Sequence, residues 1–592
     1  MQEPANQGTA AMRSAETSPV PQPDTQATHP PAKFRNGTID RQLARLSANR
    51  SRWASLAVPA KIDYLRRIRD ATILTAAQWV EASVRAKGTL ATPSLAGEEW
   101  MSGPWVLLRC VKQMIHTLES VCSDATEMEA DLQSRRTASG QLAVQVFPRR
   151  LVDRLLMNGV RAEVWLEPEA RLESATDYRH PASQHGGLQL VLGAGNISSI
   201  AVLDALYKLY NEHAVVMLKL NPVTDYLSPV LEKIFAPLIE DGYFALASGA
   251  ADLGAWLCTH PMVDAIHITG SAATHDRIVF GNASGPNRRR HNLKPITSEL
   301  GGVSPVIVVP GPWTQADLRF QAAHIATQRL HNGGFNCIAS QIAILPESWQ
   351  QTPALIDAIR AAVNQAPSRP AYYPGSSARL RKFRERYNQP PDRADPERLV
   401  IPVAADSRGE EALIFLEEAF AAVLGITRLP GTDALAYLDN AIDFCNERLS
   451  GSLGVSLLIH PATLRELGNR LDPLLARLRY GCIGINIWQG AGFFLTETPW
   501  GAYPGHTIDD VQSGIGKVHN TLMLARTQKS VVYGPFHPFP RALLHDGGLL
   551  PFPPWFVSHR SAHRVGRLLF DFEAGPSLLK IPKIAWHASQ WR

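Results

Sequence analysis

Five reactive residues stand at predicted strand ends or turns. They are Asn196 after Gly193-Ala-Gly195, Lys219 closing Ala214-Val-Val-Met-Leu218, Glu299 in Thr297-Ser-Glu-Leu-Gly-Gly302, Cys337 in Asn332-Gly-Gly-Phe-Asn-Cys337, and Glu418 in Glu417-Glu-Ala-Phe420. The Gly-rich polar turn around Cys337 leaves a thiol accessible, and a thiolate is a strong nucleophile able to form a thioester that water later cleaves. Cys110, Cys122, Cys258, Cys445 and Cys482 lie in apolar contexts that suit core packing. Glu299, beside two glycines, fits either a general base raised toward neutrality by burial or a strand-end carboxylate paired to a cation. Asn196 fits either a donor to a developing oxyanion or the N-cap of a helix entering at Ser198-Ser-Ile200.

The elements that must position these residues follow from hydrophobic periodicity. Residues 38–121 read as helical, and Leu142–Phe147 and Arg161–Leu166 as strands. From Gly187 the chain alternates. Strands are predicted at Leu188–Leu192, Ala214–Leu218, Tyr243–Leu246 and Val263–Ile268, with helices at 200–213, Ser228–Ile239 and Ala251–Cys258 between them. That alternation predicts a parallel sheet with helices on both faces and ligands at the carboxyl ends of its strands. The second half repeats the style with strands at Pro305–Val309 and Ser340–Leu345, a helix at Ala316–Leu330, and further strands and helices over 411–486. Residues 365–395, rich in Pro, Arg and Tyr, read as an exposed loop or insertion. No internal repeat is present.

Composition sets the outer limits. The 592 residues are 45% hydrophobic and carry a formal charge of +5, ordinary for a globular chain and too mild to imply a nucleic-acid partner. No run reaches the ~18 apolar residues that would span a bilayer. The six cysteines form no C-x-x-C pair, which favours reduced thiols and a cytoplasmic setting over a disulfide framework or a zinc cluster, and no metal is expected. Residues 1–33, with six prolines and no aromatic residue, read as a disordered tail, and Met1-Gln-Glu-Pro-Ala5 lacks a charged-then-apolar leader.

In order and approximate spacing, these motifs resemble those of the aldehyde dehydrogenase superfamily, over about residues 40–506. Ser298-Glu-Leu-Gly-Gly302 resembles its general-base motif, Asn332–Cys337 its nucleophile motif, and Ile268-Thr-Gly-Ser271 its phosphate-binding turn. Glu417-Glu-Ala-Phe420 resembles its second glutamate motif, and Pro499-Trp-Gly-Ala-Tyr-Pro-Gly505 its C-terminal motif. The resemblance implies an α/β fold with a Rossmann-type cofactor domain, an α/β catalytic domain and a small oligomerisation element. It divides the chain into 1–33 (tail), 34–298 (N-terminal helices, oligomerisation strands and cofactor domain), 299–506 (catalytic) and 507–592 (C-terminal extension). It implies oxidation of an aldehyde to a carboxylic acid with NAD or NADP, in a homodimer or homotetramer. Cys337 would be the nucleophile, Glu299 the general base, and Asn196 with the Cys337 N–H the oxyanion donors. Lys219 would bind the adenosine ribose, Gly270 and Ser271 the pyrophosphate, and Glu418 the nicotinamide ribose, with Phe420 beside the ring. Within the resemblance stand two alternatives: a CoA-acylating relative, which often lacks the glutamate that Glu299 supplies, and a non-catalytic scaffold.

The chain also departs from that pattern, as a divergent branch would. Pro222 stands where an acidic residue often binds the ribose 2′-hydroxyl, so tolerance of NADP is expected. Ala194-Gly195 replaces Pro-Trp, His275 a glycine, Phe335 a glutamine, and Ala421-Ala422 Gly-Pro. Arg288-Arg-Arg-His291 reads as a solvated loop, with a cofactor phosphate or CoA as the other reading. Residues 534–592 carry seven Lys/Arg against three Asp/Glu, with Trp555, Phe556, Trp586 and Trp591. This arm is expected to dock on the protein itself or a sister subunit, with peripheral contact to an anionic membrane as the alternative. Ile581-Pro582 is expected to interrupt any helix there.

Overall fold

The computed structural model of the chain describes residues 37–179, 186–283, 285, 288–390, 397–538 and 552–590. The predicted tail 1–33 and Trp591 lie outside the described residues. After helices Thr38–Ala54, Val58–Ala86, Ala96–Trp100 and Val106–Asp131 come strands β1 (Ser134–Arg136), β2 (Leu142–Phe147) and β3 (Arg161–Leu166). The next region supplies β4 (Leu188–Leu192), β5 (Val215–Lys219), β6 (Phe244–Ala247), β7 (Ala265–Gly270) and β8 (Ile296–Leu300). The second half supplies β9 (Ser304–Val308), β10 (Ser340–Pro346), β11 (Leu399–Pro402), β12 (Val423–Leu429), β13 (Gly454–Leu458) and β14 (Cys482–Ile485). Short strands β15 (Pro499–Trp500), β16 (Gly514–Ile515) and β17 (Val518–His519) precede β18 (Thr527–Tyr533).

Among the described residues, two large sheets result. The first has order β16-β8-β7-β4-β5-β6, parallel from β8 to β6, with β16 antiparallel at one edge. The apolar runs that predicted it are buried on both faces; every residue of β5 is buried. The second sheet has ten strands in the order β1-β2-β3-β18-β14-β13-β9-β10-β12-β11. An antiparallel ribbon, β1-β2-β3-β18, joins a parallel sheet where β18 pairs with β14, Cys482 facing Ser530 through Ile485 facing Tyr533. The strands assigned to oligomerisation, β2 and β3, are thus paired within their own chain. Sequence beyond residue 506 supplies one of the sheet's central strands.

Three expectations are corrected. Cys122, expected to pack in the core, is exposed on the helix Val106–Asp131. Residues 365–395 are not simply an exposed loop, because Ser376–Arg386 is a helix whose Leu380 and Phe383 are buried. Three-residue spacing of these two apolar side chains carried a helical signal that the Pro- and Arg-rich composition masked. Pro582 does not interrupt a helix; it sits in the first turn of Ile581–Ser589, where a missing N–H costs nothing. That helix and Ala562–Ala574 form the described end of the arm, and the latter packs on Ala96–Trp100. Contact is close because both sides carry glycine. A Cβ on Gly97 would lie 2.5 Å from the Ala562 carbonyl carbon, and one on Gly566 3.0 Å from Trp100 Cβ. Lys112 adds a 2.7 Å ion pair to Glu573.

Candidate active site

The turn that carries Cys337 is made by a helix that must stop. Gln315–Leu330 starts on a Thr314 capping box and ends where Asn332, Gly333 and Gly334 take φ of 53°, 70° and 81°. These left-handed residues reverse the chain and deliver Cys337 just ahead of β10. Side chains then fix the turn. Asn332 Nδ2 donates to the carbonyls of Asn196 (3.1 Å) and Phe335 (3.2 Å), and Arg329 donates to the Gly334 carbonyl (2.6 Å). Trp488 Nε1 and Gln489 Nε2 both donate to the Ile338 carbonyl, at 3.2 and 2.9 Å.

Cys337 is half-buried, and its thiol is in hydrogen-bonding contact with Glu299. Burial, then the charges of Glu299 and Glu418, push the thiol well above its usual range. Glu299 lies in β8, 3% exposed, where Trp500 Nε1 donates to its Oε1 at 3.1 Å. Its carboxyl is pushed up to about 8, first by burial and then by Asp204. Glu418 faces the same space and is also pushed up to about 8 by burial, against the pull of Arg329 and Arg379. One of its oxygens, Oε1, is enclosed without a hydrogen-bond partner among the described residues. Its carboxyl rests on Gly301, where a Cβ would come within 2.4 Å of the carboxyl carbon.

Asn196 is not an N-cap: the helix Ile200–Tyr210 begins after Ser199, with no side-chain cap. Asn196 Nδ2 donates one hydrogen bond to the Phe335 carbonyl at 2.9 Å, and its second N–H remains for another acceptor. Its turn is pinned from the N-terminal helices. Trp79 Nε1 donates to Ser198 Oγ (2.9 Å), and Ser199 Oγ to the Ser102 carbonyl (2.6 Å).

The remaining predicted residues line the carboxyl edge of the first sheet. Lys219, buried, ends β5, and its carbonyl accepts from the Gly193 N–H at 3.0 Å. Gly270 ends β7, exposed, and Ser271 caps the helix Ala272–Phe280 by accepting from the Thr274 N–H at 3.2 Å. Cys337, Glu299, Glu418 and Asn196 therefore gather around one space, while Lys219, Gly270 and Ser271 lie along the strand ends leading away from it. Arg288 pairs with Asp276 and stacks 3.9 Å above the Phe280 ring, while Arg289, Arg290 and His291 are exposed.

Sequence reasoning named Phe420 and Phe335 but missed Tyr372 and Tyr373, which complete the wall of this space. Phe420, at φ 40°, packs with Phe335, Tyr372 and Tyr373 in one aromatic group, with ring centroids 4.9–6.1 Å apart. Tyr372 donates to the Asn196 carbonyl (2.9 Å) and Asn332 Oδ1 (3.1 Å). Two buried ion pairs stand behind it, Lys87–Glu99 at 2.8 Å and Arg369–Glu98 at 2.7 Å; Lys87 also donates to Asn332 Oδ1, and Glu98 accepts from the Asn332 N–H. Tyr372, Tyr373 and Arg369 all come from the segment read as an exposed loop. Trp500 stood within a quoted motif, and its indole N–H was the available signal.

The aldehyde dehydrogenase family model matches residues 213–383, which include Lys219, Gly270, Ser271, Glu299 and Cys337 but not Asn196, Glu418 or Phe420. A coniferyl aldehyde dehydrogenase of Pseudomonas sp. is 28% identical over 189 residues, 31% of this chain and 36% of that protein. Human 4-trimethylaminobutyraldehyde dehydrogenase is 35% identical over 91 residues, 15% of this chain and 17% of that protein. The chain thus aligns with little more than a third of these curated relatives at most. Among solved structures, a mutant of aldehyde dehydrogenase C from Pseudomonas syringae, complexed with NAD+ and octanal, is 18% identical at a TM-score of 0.53, covering 84% of this chain and 89% of that one. Lactaldehyde dehydrogenase from Escherichia coli is 15% identical at a TM-score of 0.56, covering 83% and 90%. An NADP-dependent glyceraldehyde-3-phosphate dehydrogenase from Bacillus halodurans, complexed with NADP, is 17% identical at 0.55, covering 83% and 90%. Residues 213–383 thus match the aldehyde dehydrogenase family, and the chain shares the fold of solved aldehyde dehydrogenases.

Proposed function

We propose that the chain oxidises an aldehyde to a carboxylic acid with NAD or NADP, through a thiohemiacetal and then a thioester on Cys337 that water cleaves. The observation that carries this reading is the contact of Cys337 with a buried glutamate whose pKa is raised to about 8. A base in that range is strong enough to take a proton from the thiol or from water, yet partly ionised near neutrality. The free N–H of Asn196 and the Cys337 N–H are the donors for the oxyanion on the attacked carbon. Glu299 then activates the water that releases the acid. The residues fit a dinucleotide: the first sheet reverses its order between β4 and β7, and Glu418 offers an enclosed, unpartnered oxygen to a ribose hydroxyl. Lys219, Gly270, Ser271, Glu418 and Phe420 would hold it, and when bound it supplies the hydride acceptor. A CoA-acylating reaction is not favoured, because Glu299 is present and oriented toward Cys337.

The test is NAD(P)H formation across aldehydes of increasing chain length, with and without CoA. Turnover independent of CoA is expected, and turnover that requires CoA would replace hydrolysis with acyl transfer. Cys337→Ala should abolish turnover while cofactor binding persists; activity above a few per cent would remove the covalent route. Assembly into a homodimer or homotetramer belongs to the same reading. With β2, β3 and β18 paired within the chain, the exposed Leu151, Leu155, Leu578, Leu579 and Trp586 are the surface that supports it. Light scattering checks the mass.

A further inference from the structure

The sheet order β6-β5-β4-β7-β8 is that of a dinucleotide-binding half, and in such sheets the ribose is read by the chain leaving the strand next to the first, here β5. Lys219 closes β5, and the proline at 222 offers no carboxylate. The structure supplies one three residues later. Beyond Lys219 the chain turns tightly, with the Thr224 N–H donating to the Asn221 carbonyl at 2.8 Å, and the helical turn Asp225–Leu227 begins. That turn swings Asp225 back toward Lys219. Burial raises the Asp225 carboxyl while the Lys219 charge, Ser248 and the Gly249 N–H pull it down. Ser248 and Gly249 follow β6 directly, so Asp225 bridges the ends of two neighbouring strands. Its Oδ1 is buried with no hydrogen-bond partner among the described residues. An enclosed acceptor left unpaired is costly, and a hydroxyl donor would relieve that cost.

We propose that Asp225 selects the cofactor: Oδ1 accepts the 2′-hydroxyl of the adenosine ribose, and its charge repels a 2′-phosphate, so the chain takes NAD in preference to NADP. This rests on the dinucleotide reading above and reverses the expectation drawn from Pro222. Lys219 alone would attract the phosphate; the carboxylate beside it cancels that attraction and adds like-charge repulsion. Asp252, at the start of Ala251–Thr259, also faces Lys219 and is the matched control. Calorimetric titration of the full chain with NAD+ and with NADP+ decides the matter. Wild type should bind NAD+ at least about tenfold tighter. Asp225→Asn and Asp225→Ser should both bring the two affinities within about threefold, mainly by tightening NADP+, while Asp252→Asn keeps the wild-type ratio. A wild type that binds NADP+ as tightly as NAD+ overturns the proposal without any variant. So does an unchanged ratio in the Asp225 variants, or a collapse of the ratio in Asp252→Asn. If wild type binds neither cofactor, the dinucleotide reading falls and this inference with it; tight NAD+ binding with an unchanged ratio removes only the role of Asp225.

Discussion

At the scale of single residues, the site sets one charge against another. Glu299 and Glu418 each suppress ionisation of Cys337, and Asp204 raises Glu299 further. Glu299→Gln should therefore act in opposite directions on two readouts. Acid release should collapse, by about 10²–10⁴-fold for loss of a general base, with an acyl-enzyme accumulating in intact-mass spectra. Alkylation of Cys337 at pH 8.5 should instead accelerate, because a negative neighbour is gone. A mutant that turns over like wild type would make Glu299 structural. The pH dependence follows from the same raised value. As the proposed base, Glu299 would be idle while protonated, so acid release should climb with pH and level off above about 8. Its folded value exceeds the ordinary 4.5, so burying the charge weakens the fold progressively as pH rises from about 4.5 through about 8. Thermal melts at pH 6 and pH 9 should show a smaller loss for Glu299→Gln. The residue types at these positions were legible in the sequence because turn glycines flank them. What tunes them was not, since Asp204, Trp500 and Arg329 reach the site from other elements.

At the scale of elements, Asn332 ties together pieces remote in sequence. Its side chain and N–H engage the Asn196 turn, Lys87, Glu98 and Tyr372 while its backbone holds a left-handed conformation. Asn332→Ala should destabilise the chain by about 3 kcal/mol, from lost bonds, stranded buried partners and an unfavourable φ. Urea unfolding measures it, and a change below about 0.5 kcal/mol would contradict the network's importance. Strands and helices of the first sheet were legible because buried parallel strands read as unbroken apolar runs. The segment 365–395 misled, because composition there reports an exposed face while Tyr372, Tyr373, Leu380 and Phe383 turn inward. Pro582 misled for a related reason, as proline breaks a helix only after its first turn.

At the scale of the whole molecule, the C-terminal arm and the ten-stranded sheet join the two ends of the chain. Gly97→Val would drive a side chain into the Ala562 backbone and should release the arm. Limited proteolysis should then cut within 552–590 and the melting temperature should fall; an unchanged digest would mean that the arm is held elsewhere. The placement of β18 was not legible, because pairing between distant strands leaves no local mark. It has a consequence for synthesis. β3 ends at residue 166, and its neighbour β18 is complete only at residue 533, so 367 residues must be translated between them. At about 5–20 residues per second the ribosome leaves the β3 edge open for roughly 20–70 s. Once made, β14 waits as well, so β3 and β14 each keep one edge open on the nascent chain until β18 arrives. Such edges template pairing with other chains. Ribosome-associated chaperones that cover apolar strands during that interval should therefore govern the yield of folded protein more than any step after release.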